Sequence, residues 1–314
     1  MKKISAILVL IGLAFMLTSC QELTVTYTDD EPMTIESSDD TIKILQITDL
    51  HLTYGIDYRD QETFNLIKTL NDQDDYDLIA ITGDMFMTPN APMVFKMLIN
   101  HMESLQTPWT FVFGNHDNDF TSYEKLLSLI PETNYLYFKV GPELEDGGYG
   151  NFKINFTYQN QIIYTAYFLD SKNEMDTYTE EEGEYGYLST AQVAWYENQV
   201  AVDQNESVVY MHIPLRQMMN PATYDGNFLE IKVYPQGVDT GFFDAMKLYD
   251  KSKYAFFGHD HLNDFTTIVD GIMLGYGRVT GFNAYGYLDR GGRVVSITNE
   301  VLTTYIVTES GVLS

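Results

Sequence analysis

Five of the six histidines in this 314-residue chain close apolar runs: His51 in "DLH", His116 in "GNHD", His212 in "YMHIP", and His259 with His261 in "GHDH". Asp49, Asp84 and Asn115 end neighbouring runs in the same way. Neutral imidazole, carboxylate and amide oxygen are the donors that suit Zn, Mn, Fe and similar ions. Side chains from separate strands that meet at one edge can converge on two such ions. No fragment is informative alone: a D-x-H triplet arises by chance, Gly83-Asp84 can be an ordinary turn, and a lone histidine after an apolar run is more often a core residue. The weight lies in their order, each closing a strand.

The elements that must position these groups are legible around them. "IKILQITDLH" (42–51), "YDLIAITGD" (76–84) and "TPWTFVFGNHD" (107–117) are short apolar runs, β-branched or aromatic, that read as buried strands. Helical patterns lie between them at 61–72 and 92–105, the second with Pro92 in its first turn. His101 sits on that second helix and reads as structural. Alternation of strand and helix implies parallel strands with crossover helices, and in such sheets ligands gather beyond the carboxyl ends of the strands. Further along, 151–171 predicts a hairpin around "QNQ", Ser189 predicts a helix start, and "SVVYMHIPL" and "KYAFFGHDH" repeat the strand-then-histidine plan. With no internal repeat, residues 41–314 read as one α/β domain with two sheets.

The order D-x-H, G-D, G-N-H-D, lone His, G-H-x-H resembles that of the calcineurin-like metallophosphoesterase superfamily over residues 42–265. "HIPL" and "GHDHLNDF" look most like a subgroup of short enzymes related to purple acid phosphatases, and "YGYLSTAQVAWYENQV" (185–200) is similar to a segment that precedes the lone-histidine strand in many members. The resemblance implies a four-layer α/β/β/α sandwich of two mixed sheets flanked by helices. It also implies that Asp49, His51, Asp84 and His261 hold one ion while Asp84, Asn115, His212 and His259 hold the other, with Asp84 bridging. On an extended strand end, i and i+2 share a face, so His259 and His261 are expected to reach one ion each while Asp260 points away. Gly258 would let the backbone approach closely.

In purple enzymes a tyrosine stands three residues after the G-D aspartate. Met87 occupies that place here, so the expected ions are Mn, Fe or Zn without a tyrosinate–ferric pair. Two divalent ions, two aspartates and a bridging hydroxide would leave about one net positive charge, enough to hold a phosphate group. That hydroxide is expected to attack phosphorus in line. His116 is the expected proton donor to the leaving oxygen, with Asp117 orienting it. Arg216 could reach a substrate phosphate. The expected reaction is hydrolysis of phosphate monoesters on a small molecule or a phosphoprotein. The alternatives are a phosphodiesterase or nuclease at the same site, or a surface lipoprotein that captures metal or phosphate without turnover.

Composition bounds these readings. Aromatics at 14% and hydrophobic residues at 45% belong to a folded protein. A formal charge of -27, from 18 basic and 45 acidic residues, repels long nucleic acid. Met1 to Ser19 read as a secretion signal, with lysines at 2 and 3, an apolar run from Ile4 to Leu17, and "LTSC" before the only cysteine. "LTSC" resembles a bacterial lipobox, which implies cleavage before Cys20, lipidation of Cys20, and an extracytoplasmic protein held to the membrane by its acyl chains. Residues 20–40, acidic and weakly periodic, read as a mobile tether. The acidic clusters at 72–77 and 180–184 read as solvated surface, lacking the spacing of a calcium loop.

Overall fold

The runs that end in the candidate donors are largely apolar because both of their faces are covered. The computed structural model describes residues 23–313, so the expected leader and Cys20 lie outside the described residues. In β2 (Thr41–Ile47), Ile42 and Ile44 face a core shared with the second sheet, while Leu45 and Ile47 face helices on the outside. In β3 (Leu78–Thr82), Leu78 and Ala80 point inward and Ile79 and Ile81 outward. β4 (Trp109–Val112) repeats the pattern at the sheet edge. The outer face is covered by α1 (Tyr58–Asn71) and α2 (Ala91–Leu105), through Phe64, Ile67, Phe95 and Leu98. The Asp57 carboxylate caps α1 by accepting from the N–H groups of Arg59 and Asp60. A short helix, α3 (Tyr123–Leu127), follows β4.

The second sheet starts from the expected hairpin. β5 (Phe152–Tyr158) and β6 (Gln161–Phe168) pair antiparallel, and the two residues between them, Gln159 and Asn160, both have positive φ, the signature of a tight two-residue turn. α4 (Thr190–Val200) then begins at Ser189 with a reciprocal capping box to Gln192, leading into β7 (Ser207–Tyr210). After α5 (Phe242–Tyr249) come β8 (Ser252–Phe257), β9 (Thr266–Val269) and β10 (Ile272–Tyr276). β11 (Gly291–Thr298), β12 (Val301–Thr308) and β13 (Gly311–Val312) return antiparallel to the first sheet.

Two mixed sheets result. One has the order β13-β12-β11-β2-β3-β4; the other is seven-stranded, starting from β1 (Met33–Glu36), in the order β1-β5-β6-β7-β8-β10-β9. Between them lies a core rich in aromatics, with Phe152 stacked on Phe168 and Phe168 on Tyr210. α4 and α5 cover the outside of the second sheet through Tyr196, Phe242, Phe243 and Met246. The helix, sheet, sheet, helix layering is the expected sandwich. Among the described residues, no helix is long and apolar enough to cross a membrane.

The expected tether needs correction. Met33–Glu36 form β1, parallel to β5 with Met33 opposite Ile154, and Ile35 is buried. Upstream, Thr28 exchanges hydrogen bonds with Gly141, and the Tyr27 ring stacks on Tyr149. The alternation in "MTIE" supplies the physical reason: it gives one apolar side to pack and a backbone ladder to complete.

Candidate metal centre

Within the first sheet β2, β3 and β4 are parallel, and within the second β6, β7 and β8 are parallel, so six carboxyl ends meet at one end of the sandwich. Pairing continues past the strand ends: Asp49 N–H donates to the Gly83 carbonyl, and His51 N–H to the Asp84 carbonyl. This stitching holds two donor loops in register. Asp49, His51, Asp84 and His259 all have positive φ, an uncommon conformation for residues with side chains. At Gly114, an added Cβ would come within 2.2 Å of the Asp84 carboxylate, so only glycine fits there. Gly258 is likewise pressed against Thr48, whose hydroxyl a Cβ would meet at 2.1 Å.

The seven expected donors are buried and brought together in two adjoining sets. In the first, Nε2 of His51 and Nε2 of His261 are 3.1 Å apart, His51 Nε2 is 3.4 Å from Asp84 Oδ2, and His261 Nε2 is 3.3 Å from Asp49 Oδ1. In the second, Asn115 Oδ1 is 3.0 Å from His212 Nε2 and 2.9 Å from His259 Nδ1, while His212 Nε2 is 3.4 Å from Asp84 Oδ2. Asp84 belongs to both. The reason that His259 and His261 reach separate sets differs from expectation. β8 stops at Phe257, and the chain bends at His259, whose φ is 82°, so the bend rather than the pleat aims the two rings. Asp260 does point away, accepting from the Tyr276 hydroxyl at 2.6 Å.

The donor chemistry fits a cation pair. His212 Nδ1 lies 2.8 Å from the Thr82 carbonyl, which can only accept, so Nδ1 carries the proton and Nε2 turns its lone pair toward Asn115 and Asp84. Converging acceptors without a positive charge between them are costly when buried. Without an ion, a proton must serve instead. Burial opposes a charge on His212, yet the neighbouring Asp84 and Asp49 carboxylates outweigh it and push the ring up to about 10. His259 is driven the other way, to about 3, by burial and by repulsion from His212, leaving its ring neutral and able to ligate. The Asp84 carboxyl loses hydration, but His212 and His51 hold it well below the usual range.

His116 lies beside this centre without joining either set. Its backbone N–H donates to Asp84 Oδ1 at 2.9 Å, and its ring is 5.6 Å from the His51 ring, on the wall of a cleft of about 670 Å3. Burial disfavours its charge, but Asp84 and Asp119 raise its pKa above the ordinary value. The partner of its Nδ1 is Asp119 Oδ2, at 2.9 Å, not the expected Asp117. Asp117 is fully engaged elsewhere, accepting from the N–H groups of Met85 at 2.8 Å, Phe86 at 3.2 Å and Gly114 at 2.7 Å. It ties the Asp84 loop to the Asn115 loop and orients no ring. Burial and the nearby Asp84 charge push its carboxyl up to about 8.

Arg216 is also diverted. Its guanidinium donates to the carbonyls of Glu181, Glu182 and Gly237, clamping an acidic loop rather than facing the cleft. His101 is structural as expected, half-buried against Phe64 with its charge disfavoured by burial. Met87 lines the cleft where the purple enzymes carry tyrosine. The two cleft tyrosines nearest the donors, Tyr185 edge-on to His259 at 4.3 Å and Tyr285 stacked on His261 at 4.1 Å, are both raised by burial and stay neutral phenols. These two, with Asp119 and Glu230, are the site residues that reading the sequence missed. Only Asp119 left a signal, three residues after His116 in "HDND".

A two-sheet sandwich whose strand tips present two donor sets sharing one carboxylate defines a dimetal hydrolase of phosphoric esters. The profile of the calcineurin-like phosphoesterase family matches residues 42–263, and the chain belongs to that family. It is 24% identical over 290 residues to the probable inactive purple acid phosphatase 28 of Arabidopsis thaliana, covering 79% of this chain and 72% of that one. It is 26% identical over 268 residues to Phosphatase DCR2 of Saccharomyces cerevisiae, covering 73% of this chain and 46% of that one. Among solved structures, a dimetal phosphatase from Danio rerio superposes with a TM-score of 0.64 at 10% identity, covering 88% of this chain and 98% of that one.

Proposed function

We propose that this protein is a phosphatase that hydrolyses phosphate monoesters at the centre formed by Asp49, His51, Asp84, Asn115, His212, His259 and His261. The observation that carries this reading is His116: a partly exposed imidazole on the cleft wall, beside but outside both donor sets, with its Nδ1 held by Asp119. A protein that only captured ions would have no use for it. A pair of Mn, Fe or Zn ions, when bound, supplies Lewis acidity toward the phosphoryl oxygens and a water acidic enough to act as nucleophile near neutral pH.

The chain's own groups do the rest. Because Asp119 holds Nδ1 of His116, Nε2 is the atom free to pass a proton to a leaving oxygen. Asp84 fixes the backbone of His116 while serving both donor sets, so the proton donor and the centre keep one geometry. Asp117 locks the two loops that carry Asp84 and Asn115. Relatives named phosphatases align over most of this chain, whereas those named probable cyclic nucleotide phosphodiesterases match only 24% and 27% of it, which favours the monoester reading. Although the Arabidopsis thaliana relatives at 24–26% identity are named probable inactive, the seven candidate donors are present in this chain and lie together. The reading of residues 1–19 as a lipoprotein signal peptide cleaved before a lipidated Cys20 adds that this activity is displayed outside the cytoplasm, at a membrane face.

The test is turnover of mono- and bis-nitrophenyl phosphate with added Mn, Fe or Zn, together with elemental analysis of the purified protein. Monoester preference that disappears in Asp84→Ala supports the proposal. Preference for the bis ester makes the protein a diesterase, and two ions per chain with no turnover of either makes it a binder.

A further inference from the structure

The wall that the organic part of a substrate must face has an unusual charge. Tyr185, Tyr234 and Tyr285 line the cleft with Met87 and Glu230, and among the described residues no lysine or arginine lines it. The Glu230 carboxylate is fixed in place: its Oε1 accepts from the Tyr285 hydroxyl at 2.6 Å and from the Leu262 N–H at 3.2 Å. Tyr285 in turn stacks on the metal-set ring of His261 at 4.1 Å, so the distance from the carboxylate to the centre is set by one aromatic ring. The nearby cations stand outside this lining. The Arg290 guanidinium donates to the carbonyls of Ala284, Tyr285 and Gly286, and the Lys232 ammonium sits 4.9 Å from the centre of the Tyr234 ring without lining the cleft.

We infer that the preferred substrates are phosphate esters of alcohols that carry a positive charge, with the phosphate at the donor sets and an ammonium group against the Tyr285–Glu230 wall. Tyrosine faces and a carboxylate are the groups that recognise an alkylammonium ion. The same wall repels polyanions such as di- and triphosphates, whose further charges would meet Glu230 with no cation to receive them. The overall charge of -27 acts in the same direction at long range, repelling a zwitterionic ester less than one whose alcohol carries no positive charge. This inference rests on the phosphatase reading and names the substrate class of that same centre.

The experiment compares two esters of one shape, choline phosphate and its uncharged isostere 3,3-dimethylbutyl phosphate, with nitrophenyl phosphate as the reference. We expect kcat/KM for choline phosphate to exceed that of the isostere at least tenfold. The ratio should fall to near one in Glu230→Gln, and raised salt should shrink it in the wild type. Equal rates on the two esters overturn the inference, as does a ratio that survives in Glu230→Gln. Turnover of nitrophenyl phosphate alone also overturns it while leaving the phosphatase reading intact. Turnover of none of the three ends both.

Discussion

Replacing Asp117 separates two accounts of the site. Its carboxylate accepts three backbone N–H groups, from Met85, Phe86 and Gly114, in a fully buried position. With that carboxyl pushed up to about 8 and so largely neutral near pH 7, each of its hydrogen bonds contributes about 0.5–1.5 kcal/mol net, and an abandoned buried donor costs about 1–3 kcal/mol. Three such bonds do not add in full, so Asp117→Ala should lower the unfolding free energy by about 4–6 kcal/mol, a large share of what a domain possesses. Asp117→Asn keeps one acceptor oxygen and the shape of the side chain, and should cost about half as much. Because the tied loops carry Asp84 and Asn115, the Asn variant should also bind metal about 10–100-fold more weakly, the usual effect of losing a partner of a ligand. With saturating metal its kcat should recover. Denaturant unfolding with metal titration by calorimetry reads both quantities. The reasoning fails if Asp117→Asn is as stable as wild type, binds both ions normally, and still loses kcat together with the alkaline limb of the pH profile. That pattern would return Asp117 to the role of orienting His116.

Three further outcomes are expected. His116→Ala should lower kcat about 100–1,000-fold on alkyl phosphates and far less on nitrophenyl phosphate, whose leaving group needs little protonation; Asp119→Asn, altering a pair about one-third exposed, should cost only a few-fold, and equal losses on both leaving groups would remove the proton-donor role. Asp170 is buried and accepts from the N–H groups of Tyr149 and Lys172, yet lost hydration pushes its carboxyl up to about 6. A folded pKa above the unfolded one means that this contribution to stability is whole below about pH 4 and is lost as pH rises through 6. Metal-free wild type should therefore lose about 3 kcal/mol relative to Asp170→Asn between pH 4 and 7, because each tenfold difference in proton affinity between folded and unfolded chain corresponds to about 1.4 kcal/mol; a constant gap across that range would contradict it. Cys20→Ser should abolish incorporation of labelled fatty acid and release the protein from the membrane fraction; unchanged labelling would show that the lipobox reading is wrong.

The candidate metal donors are legible because each follows an apolar run, and a strand buried on both faces announces both its existence and its end. What spacing does not supply is local backbone shape. An extended strand end would set His259 and His261 on one face, but the chain turns at His259 with a positive φ, which no apolar period encodes. Proximity in sequence pairs Asp117 with His116, whereas its carboxylate reaches back across the loop to Gly114 and over to Met85. Glu230 and Tyr285 lie 55 residues apart in segments without period, and only the folded chain brings them into contact. Met33–Glu36 are hidden by the acidic residues around them, although Met33 and Ile35 alternate as an edge strand should.

That short strand has a consequence for how the molecule behaves beside its neighbours. β5 would otherwise present a row of unpaired amides and carbonyls at the margin of the seven-stranded sheet, the kind of border that recruits strands from other molecules. β1 replaces that border with one only four residues long, preceded by Pro32 and ending in Glu36, features that discourage strand addition, and it is built from the same residues that join the catalytic body to whatever precedes it. A protein trimmed to begin at Thr41 would keep every metal donor and lose its guard against aggregation.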